Sequence, residues 1–459
     1  MSRLQRKHLA APATRAERRG SLLRRVIKHI RQTGLRLRAP LAPAPAPVAN
    51  TTPAPSTGNV PRLTAQDTDI QERPALQQLT RMLRRQGLAA GEQVPPGISF
   101  IEAATADAVP YTEGAMQGDE QQVTVALVDS GVDANHPDLV YAGGKSWLRR
   151  PSRRMPGDST DPGVDFFGHG THVAGIIGAR NSGRGIVGVA PGQPVFSLKV
   201  LDGSGQGALS DALAAVRWAA GREGRAYNIK VINLSIAAYV SPDSDDAEDT
   251  LRIVCQIFQE ASDAGVLVIT AAGNYQDSLL NYVPAACPAV AAVTAVDPSS
   301  RAASPFSNYL PAHAPAADKA RVMAAPGSGV MSTMSIQREP SRYSSLSAAE
   351  PHLWWQELRL SQDCVELSQD AACLPACLPA GFWELSGTSQ ASPHVAGIAA
   401  TCIQSGACRP SSTGMQKLAV LQAAARQRMA QRRPYGFRGD PASAKGAASF
   451  LAWAKFWDG

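Results

Sequence analysis

Apolar residues along this chain fall into short runs separated by polar, glycine-rich or amphipathic stretches. Val123–Val128 is bounded by acids and glutamines before it and by Asp-Ser-Gly after it, the pattern of a strand buried on both faces. Similar runs predict strands over Val195–Val200, Val231–Leu234, Val266–Ala271 and Val290–Val296. Between and after them, helical spacing predicts helices over Thr171–Ala179, Ser210–Arg222, Asp249–Ala264 and Ser389–Ile403. Strands alternating with helices imply an α/β fold, a mostly parallel central sheet flanked by helices in three layers. Ligands in such folds bind beyond the carboxyl ends of the strands, so functional residues are expected just after the apolar runs.

The ends of the chain have a different texture. Between Gly20 and Arg38, Leu22, Leu23, Val26, Ile27 and Ile30 alternate with Arg24, Arg25, Lys28 and Arg31, the pattern of a basic amphipathic helix. From Pro40 to Pro61 seven of 22 residues are proline, which favours an extended linker. Ala75–Gln86 shows one more helical pattern, and another helix is expected after Thr413, followed by Phe450, Trp453, Phe456 and Trp457. The chain divides into a leader with its linker (1–62), a short helical segment (63–91), a main domain (92–410) and a C-terminal helical extension (411–459).

Charge changes how the leader is read. The net charge of the 459 residues is +7, yet residues 1–62 hold 13 Lys and Arg against Glu17 alone. The rest of the chain is therefore mildly acidic, and its sequence offers no basic patch for nucleic acid. Arg and Lys interrupt every apolar stretch that a secretory signal would need; acid-poor, Arg-rich segments resemble organelle transit peptides, and basic amphipathic helices bind anionic membranes. The leader is thus expected to contact an anionic membrane or a targeting receptor, or to be a solvated tail. Secretion and organelle targeting lead the options for location. No run approaches the roughly 18 apolar residues of a membrane span.

Seven cysteines leave at least one thiol unpaired within a monomer. Cys364, Cys373 and Cys377 crowd one segment, but their spacing without a nearby pair of histidines matches zinc poorly. Buried thiols with one or two disulfides are expected instead.

Three polar motifs follow apolar runs or open helices. Asp129 lies in Val-Ala-Leu-Val-Asp-Ser-Gly-Val-Asp, His169 in Gly-His-Gly-Thr-His-Val-Ala-Gly, and Ser389 in Gly-Thr-Ser-Gln-Ala-Ser-Pro-His-Val-Ala-Gly. Each alone reads as a turn residue or a helix cap. Together they supply what acyl transfer needs: a hydroxyl nucleophile, an imidazole to take its proton, and a carboxylate to fix the imidazole tautomer. No Gly-x-Ser-x-Gly elbow surrounds Ser389, which argues against a lipase or esterase.

These motifs, in the order Asp, His, Ser, resemble those of the subtilisin-like serine peptidases, the subtilases. His136-Pro-Asp-Leu, Gly-Val-Ala-Pro at 188–191, Lys-Val-Leu at 199–201, Val-Ile-Asn-Leu-Ser at 231–235, Ala-Ala-Gly-Asn at 271–274, Ala-Pro-Gly at 325–327 and Val94-Pro-Pro-Gly-Ile-Ser add to the likeness, which covers about 92–405. The resemblance implies a monomeric serine endopeptidase acting on proteins or peptides through an acyl-enzyme. It implies Ser389 as nucleophile, His169 as base and then acid, Asp129 as its orienting carboxylate, and Asn274 as side-chain donor of the oxyanion hole with the Ser389 N–H. Ser235, Ile236, Ala237, Ala238, Ala272 and Gly273 match the walls of the main specificity pocket, and Ser204, Gly205 and Gln206 match the edge along which extended peptides pair. No cofactor is needed for the chemistry. A structural Ca²⁺ is implied at Asp138, with Ser182 where the family usually has Asn and with Glu92 as a further candidate ligand. The competing class is a non-catalytic protein on the same fold.

Departures from the family pattern modify these expectations. Ile-Ala-Ala follows Ser235 where subtilisins usually carry Leu-Gly-Gly, and the added methyl groups predict a preference for small side chains before the scissile bond. Gln390 replaces an oxidisable methionine common after the nucleophile. The interval from Asn274 to Ser389 is longer than in a compact subtilisin, with an insert expected near 331–382. His172 is expected to pack within its helix, and residues 62–91 show one helix but no strand pairs of the folded pro-segment that subtilases commonly carry.

Overall fold

The structure, a computed structural model, describes residues 91–103, 123–151, 158–183, 185–245, 247–335 and 381–431, with short strands at 36–38 and 450–451. The expected helix Ala75–Gln86, most of the leader, the middle of the insert and the last three aromatic residues lie outside the described residues.

Among the described residues a central sheet of nine strands organises the domain. Across it run β15 (Phe450–Leu451), β12 (Val322–Pro326), β10 (Ala291–Asp297), β8 (Leu267–Ala271), β6 (Ile229–Leu234), β2 (Thr124–Asp129), β4 (Pro194–Lys199) and β3 (Val140–Ser146). These eight are parallel, and β11 (Ala302–Ala303) pairs antiparallel with β10. The five strands expected from apolar runs are all present with ends shifted by one or two residues.

Burial on both faces explains why those runs are continuous. Val125, Leu127, Val231 and Ile269 point into one core with the helices His169–Gly178, Thr388–Gln404 and Gly414–Gln431. Ala126, Val128, Ile232 and Leu234 point into the other, under the helices Leu209–Ala220 and Ala247–Asp263. Fully burying each Val, Leu or Ile contributes roughly 1.5–3 kcal/mol, so the central strands form a stiff platform for whatever stands at their ends.

Besides the two-residue strands β11 and β15, two longer main-sheet strands escape the apolar pattern. Val140–Ser146 is an edge strand with an irregular register between Tyr141 and Gly144, and Val140 is its one buried residue. Val322–Pro326 ends in proline and holds two alanines, small enough for the helix Thr388–Gln404 to pack closely on it. The helix Gly414–Gln431, assigned from sequence to an extension beyond 410, puts Leu418, Leu421 and Ala425 into the main core.

Three small antiparallel pairs decorate the frame. β1 (Arg36–Arg38) pairs with β5 (Gln206–Ala208), β7 (Ala238–Tyr239) with β9 (Tyr282–Val283), and β13 (Val330–Thr333) with β14 (Phe382–Leu385). The last pair joins the two ends of the insert. The first corrects the reading of the leader: Arg36–Arg38, expected at the end of a basic helix, is extended because β5 offers it an edge with backbone groups to pair. Disulfides join Cys255 to Cys287 and Cys402 to Cys408.

Candidate active site

Strand register brings the site together. Val128 pairs with Leu234, and Leu234 with Thr270, so β2, β6 and β8 end level with one another. Asp129, Ser235 and the segment Ala271–Asn274 therefore stand side by side at the carboxyl edge.

Asp129 closes β2 and is buried; its Oδ1 accepts from the Ser130 N–H at 2.7 Å and from Nδ1 of His169 at 2.8 Å. His169 opens its helix after Gly168, whose φ of 86° lies in the left-handed region that a glycine enters without steric cost. Burial disfavours the imidazolium, but the charge and hydrogen bond of Asp129, joined by the charge of Asp165, outweigh it and hold the His169 pKa above its ordinary value. A proton held at Nδ1 makes Nε2 the basic nitrogen, and Nε2 is buried with no hydrogen-bond partner among the described residues.

Ser389 is the second residue of the helix Thr388–Gln404. Its Oγ donates to the Ser235 carbonyl at 3.2 Å, and Ser235 Oγ donates to the Ser389 carbonyl at 2.9 Å. This reciprocal pair ties Ser389 to the end of β6, next to the strand that carries Asp129. The helices of His169 and Ser389 pack on each other, and the second presents its N-terminus, where developing negative charge is favoured.

Asn274 stands three residues beyond β8. Its Oδ1 accepts from the N–H and the Oγ1 of Thr388, both at 2.8 Å, which turns the NH₂ end of the amide away from Thr388. Gly273, with φ 108°, leaves no room for a Cβ beside the Asn308 amide, and Asn308 Nδ2 donates to the Ala272 carbonyl at 3.0 Å. Ser235, Ile236, Ala237 and Ala238 are buried, and Ala238 pairs with Val283. Ser204, Gly205 and Gln206 form a turn around Asp202, whose Oδ1 accepts from the N–H and Oγ of Ser204 and from the N–H of Gln206. His172 is buried, donates from Nε2 to the Trp383 carbonyl at 3.1 Å, and is driven down to about 3 chiefly by burial, so it stays neutral.

Sequence reading passed over three supporting residues. Asp165 is buried and accepts from Ser130 Oγ (2.8 Å), the Gly168 N–H (2.8 Å) and the N–H and Oγ1 of Thr171 (both 2.7 Å). It thereby anchors the residue after Asp129 and the residues on both sides of His169. Lys199, at the end of β4, donates from a buried ammonium to the carbonyls of Ser130 and Val164; burial lowers its pKa against the carboxylates of Asp165 and Asp158. Thr388 holds the Asn274 amide. The available signal was an acid set among Val164, Phe166 and Phe167, where a carboxylate needs buried partners.

Beyond the C-terminal end of the His169 helix, Glu92 Oε2 accepts from the Gly183 N–H at 2.8 Å and Asp138 Oδ1 from Ser182 Oγ at 3.2 Å. Two carboxylates thus reach one loop, and such hard oxygens suit Ca²⁺. Among the described residues no three His, Cys, Asp or Glu side chains gather as a metal cluster.

A parallel sheet delivering a carboxylate, an imidazole and a hydroxyl in that chain order defines the subtilisin class of arrangement. The model of the subtilase family matches residues 120–437, and the chain belongs to that family. The thermostable alkaline protease of Halalkalibacterium halodurans is 36% identical over 263 residues, 57% of this chain and 61% of that protein. Subtilisin E of Bacillus subtilis is 35% identical over 266 residues, 57% of this chain and 59% of that one; the subtilisin of Bacillus pumilus is 35% identical with 82% of its length covered. The chain therefore spans about three-fifths of the length of the first two. A crystal structure of a cold adapted subtilisin-like serine proteinase superimposes with a TM-score of 0.47 at 22% identity, over 78% of this chain and 98% of that one.

Proposed function

We propose that this chain is a serine endopeptidase that hydrolyses peptide bonds in proteins through an acyl-enzyme. The reading is carried by the 2.8 Å contact between Asp129 Oδ1 and His169 Nδ1, with Nε2 of the same buried ring left without a hydrogen-bond partner among the described residues. Rotated away from the Ser235 carbonyl, Ser389 gives its proton to Nε2 as its oxygen attacks the peptide carbonyl. Asp129 stabilises the imidazolium, while the Asn274 amide and the Ser389 N–H hold the oxyanion. Collapse of the tetrahedral intermediate expels the amine, which takes the proton from His169. Water then repeats the sequence on the ester, releasing the acid and restoring the serine.

Ser235–Ala238 and Ala272–Gly273 wall the pocket for the side chain before the scissile bond, and the methyl groups of Ala237 and Ala238 restrict it to small residues. A cleavage profile dominated by Phe or Leu there would refute that restriction. Ser204–Gln206 belong to the edge that pairs with extended substrate. A Ca²⁺ at Asp138 and Glu92 stabilises the fold and takes no part in the chemistry. The Cys255–Cys287 and Cys402–Cys408 disulfides suit an oxidising compartment, in keeping with secretion or organelle delivery of a monomer.

A fluorophosphonate probe, with Ser389→Ala as control, tests the reaction. Labelling of the wild-type chain alone is expected; no labelling, or labelling that survives in the variant, would overturn the assignment.

A further inference from the structure

Tyr239, Tyr275 and Tyr282 form one aromatic cluster that the proposed chemistry does not use. Tyr275 and Tyr282 stack with ring centroids 5.1 Å apart and planes within 6° of parallel, and Tyr239 lies 5.4 Å from Tyr282. Tyr282 is buried, whereas Tyr239 and Tyr275 are 50% and 53% exposed. The exposed rings are held rather than loose: Tyr239 faces Tyr282 across the β7–β9 pair, and Tyr275 rests flat on the same buried ring. Their place in the chain matters more. Tyr239 follows Ala238 and Tyr275 follows Asn274, so both rings extend directly from segments that border the cleft.

The surroundings select the chemistry of an occupant. The Tyr282 hydroxyl is hydrogen-bonded to the Asp277 carboxylate, which also accepts from the Ser278 N–H at 2.7 Å and from Asn281 Nδ2 at 3.1 Å. Beyond Tyr239 the chain carries Asp243 and Asp245, and Glu248 lies in the first turn of the next helix, where the adjacent Asp249 is paired with Arg252 at 2.7 Å. An aromatic face is the negative side of the ring quadrupole and attracts a guanidinium or ammonium; neighbouring carboxylates add to that attraction but give nothing to an apolar side chain. A basic segment of the chain itself passes along this edge. The strand Arg36–Arg38 lies antiparallel on Gln206–Ala208 and is in contact with Ala238–Tyr239, bringing an arginine-bearing extended segment from the strongly basic leader to this edge.

We propose that the Tyr239–Tyr275–Tyr282 face is a subsite for an arginine or lysine side chain of an extended peptide lying along Gln206–Ala208, so that the cleft prefers basic polypeptide segments. The proposal rests on reading that cleft as a peptidase site, but its test does not depend on turnover. In the full-length Ser389→Ala chain, fluorescence anisotropy would compare a labelled peptide of residues 33–41 with the same peptide carrying citrulline for both arginines. Tighter binding of the arginine peptide by about three- to thirtyfold is expected, the range for a cation on an aromatic face. Tyr239→Leu with Tyr275→Leu keeps apolar bulk and should bring the two peptides to equal affinity. Equal affinity both in the Ser389→Ala chain and in the same chain carrying Arg36→Gln with Arg38→Gln, or a preference unchanged by the tyrosine substitutions, would overturn the subsite even if fluorophosphonate labels Ser389. Arg36→Gln with Arg38→Gln separates the sources of the ligand. A gain in affinity for added arginine peptide assigns the face to the chain's own leader, and no gain assigns it to a separate polypeptide; the cationic subsite is supported by either.

Discussion

Ser130 Oγ donates to Asp165 Oδ1 at 2.8 Å, which ties the residue next to Asp129 to a carboxylate that also holds both flanks of His169. Asp165 thus acts at a distance from substrate, through the alignment and charge of the pair it supports. Asp165→Asn keeps the shape but removes a charge that favours the His169 imidazolium. We expect kcat/KM to fall about 10- to 100-fold, since losing such a supporting partner misplaces the groups it orients. The raised His169 pKa puts the acid limb of the pH–rate profile above the ordinary imidazole value of about 6.5. The substitution should move that limb down, which a loss of packing alone would not do.

Asn274→Ala removes an amide whose carbonyl end is fixed by Thr388. A drop in kcat on the order of 100- to 1000-fold with KM nearly unchanged is expected for an oxyanion donor. Unchanged kcat would remove Asn274 from the mechanism. Thr388→Val should give a smaller loss of the same kind, because the donor remains but loses one of the bonds that orient it.

Buried neutral histidines make the fold acid-sensitive. Burial depresses His394 to about 4 and His172 to about 3, while the unfolded chain binds protons near the ordinary value. The unfolded state thus takes up protons first as pH falls. Stability present above about pH 6.5 is lost on the way down to the folded pKa values, at up to roughly 1.4 kcal/mol per pH unit for each histidine. Urea unfolding midpoints at pH 7 and pH 5 should differ accordingly, and His172→Gln should shrink the difference. A midpoint independent of pH would contradict this.

The carboxylates around 182–183 bear on calcium. If Asp138 and Glu92 hold Ca²⁺, excess chelator should lower Tm by several degrees and added Ca²⁺ restore it, since a ligand that binds the folded state raises its apparent stability. Asp138→Ala should abolish that response. Equal Tm values with and without chelator in the wild-type chain would rule the site out.

Most of the frame was legible because its signals are local. Val123–Val128 and Val266–Ala271 read as strands since a sheet covered on both faces demands unbroken apolar runs, and their ends pointed to Asp129 and Asn274. Val140–Ser146 was not legible, because an edge strand with glycines and an interrupted register buries almost nothing. Arg36–Arg38 reads as the end of a basic helix by its neighbours' spacing; a partner strand some 170 residues away makes it extended.

The sequence by itself determined the order of the layers, the family and the identity of the groups that meet at the strand ends, because each depends on residue type and short spacing. The tertiary structure alone decided which of those groups touch. The Asp129–His169 contact, the exchange of hydrogen bonds between Ser235 and Ser389, and the grip of Asp165 on both sides of the histidine join residues far apart in the chain. So does the tyrosine face, assembled from positions 239, 275 and 282. Such pairings follow from strand register and helix packing, which set distances that no local pattern encodes.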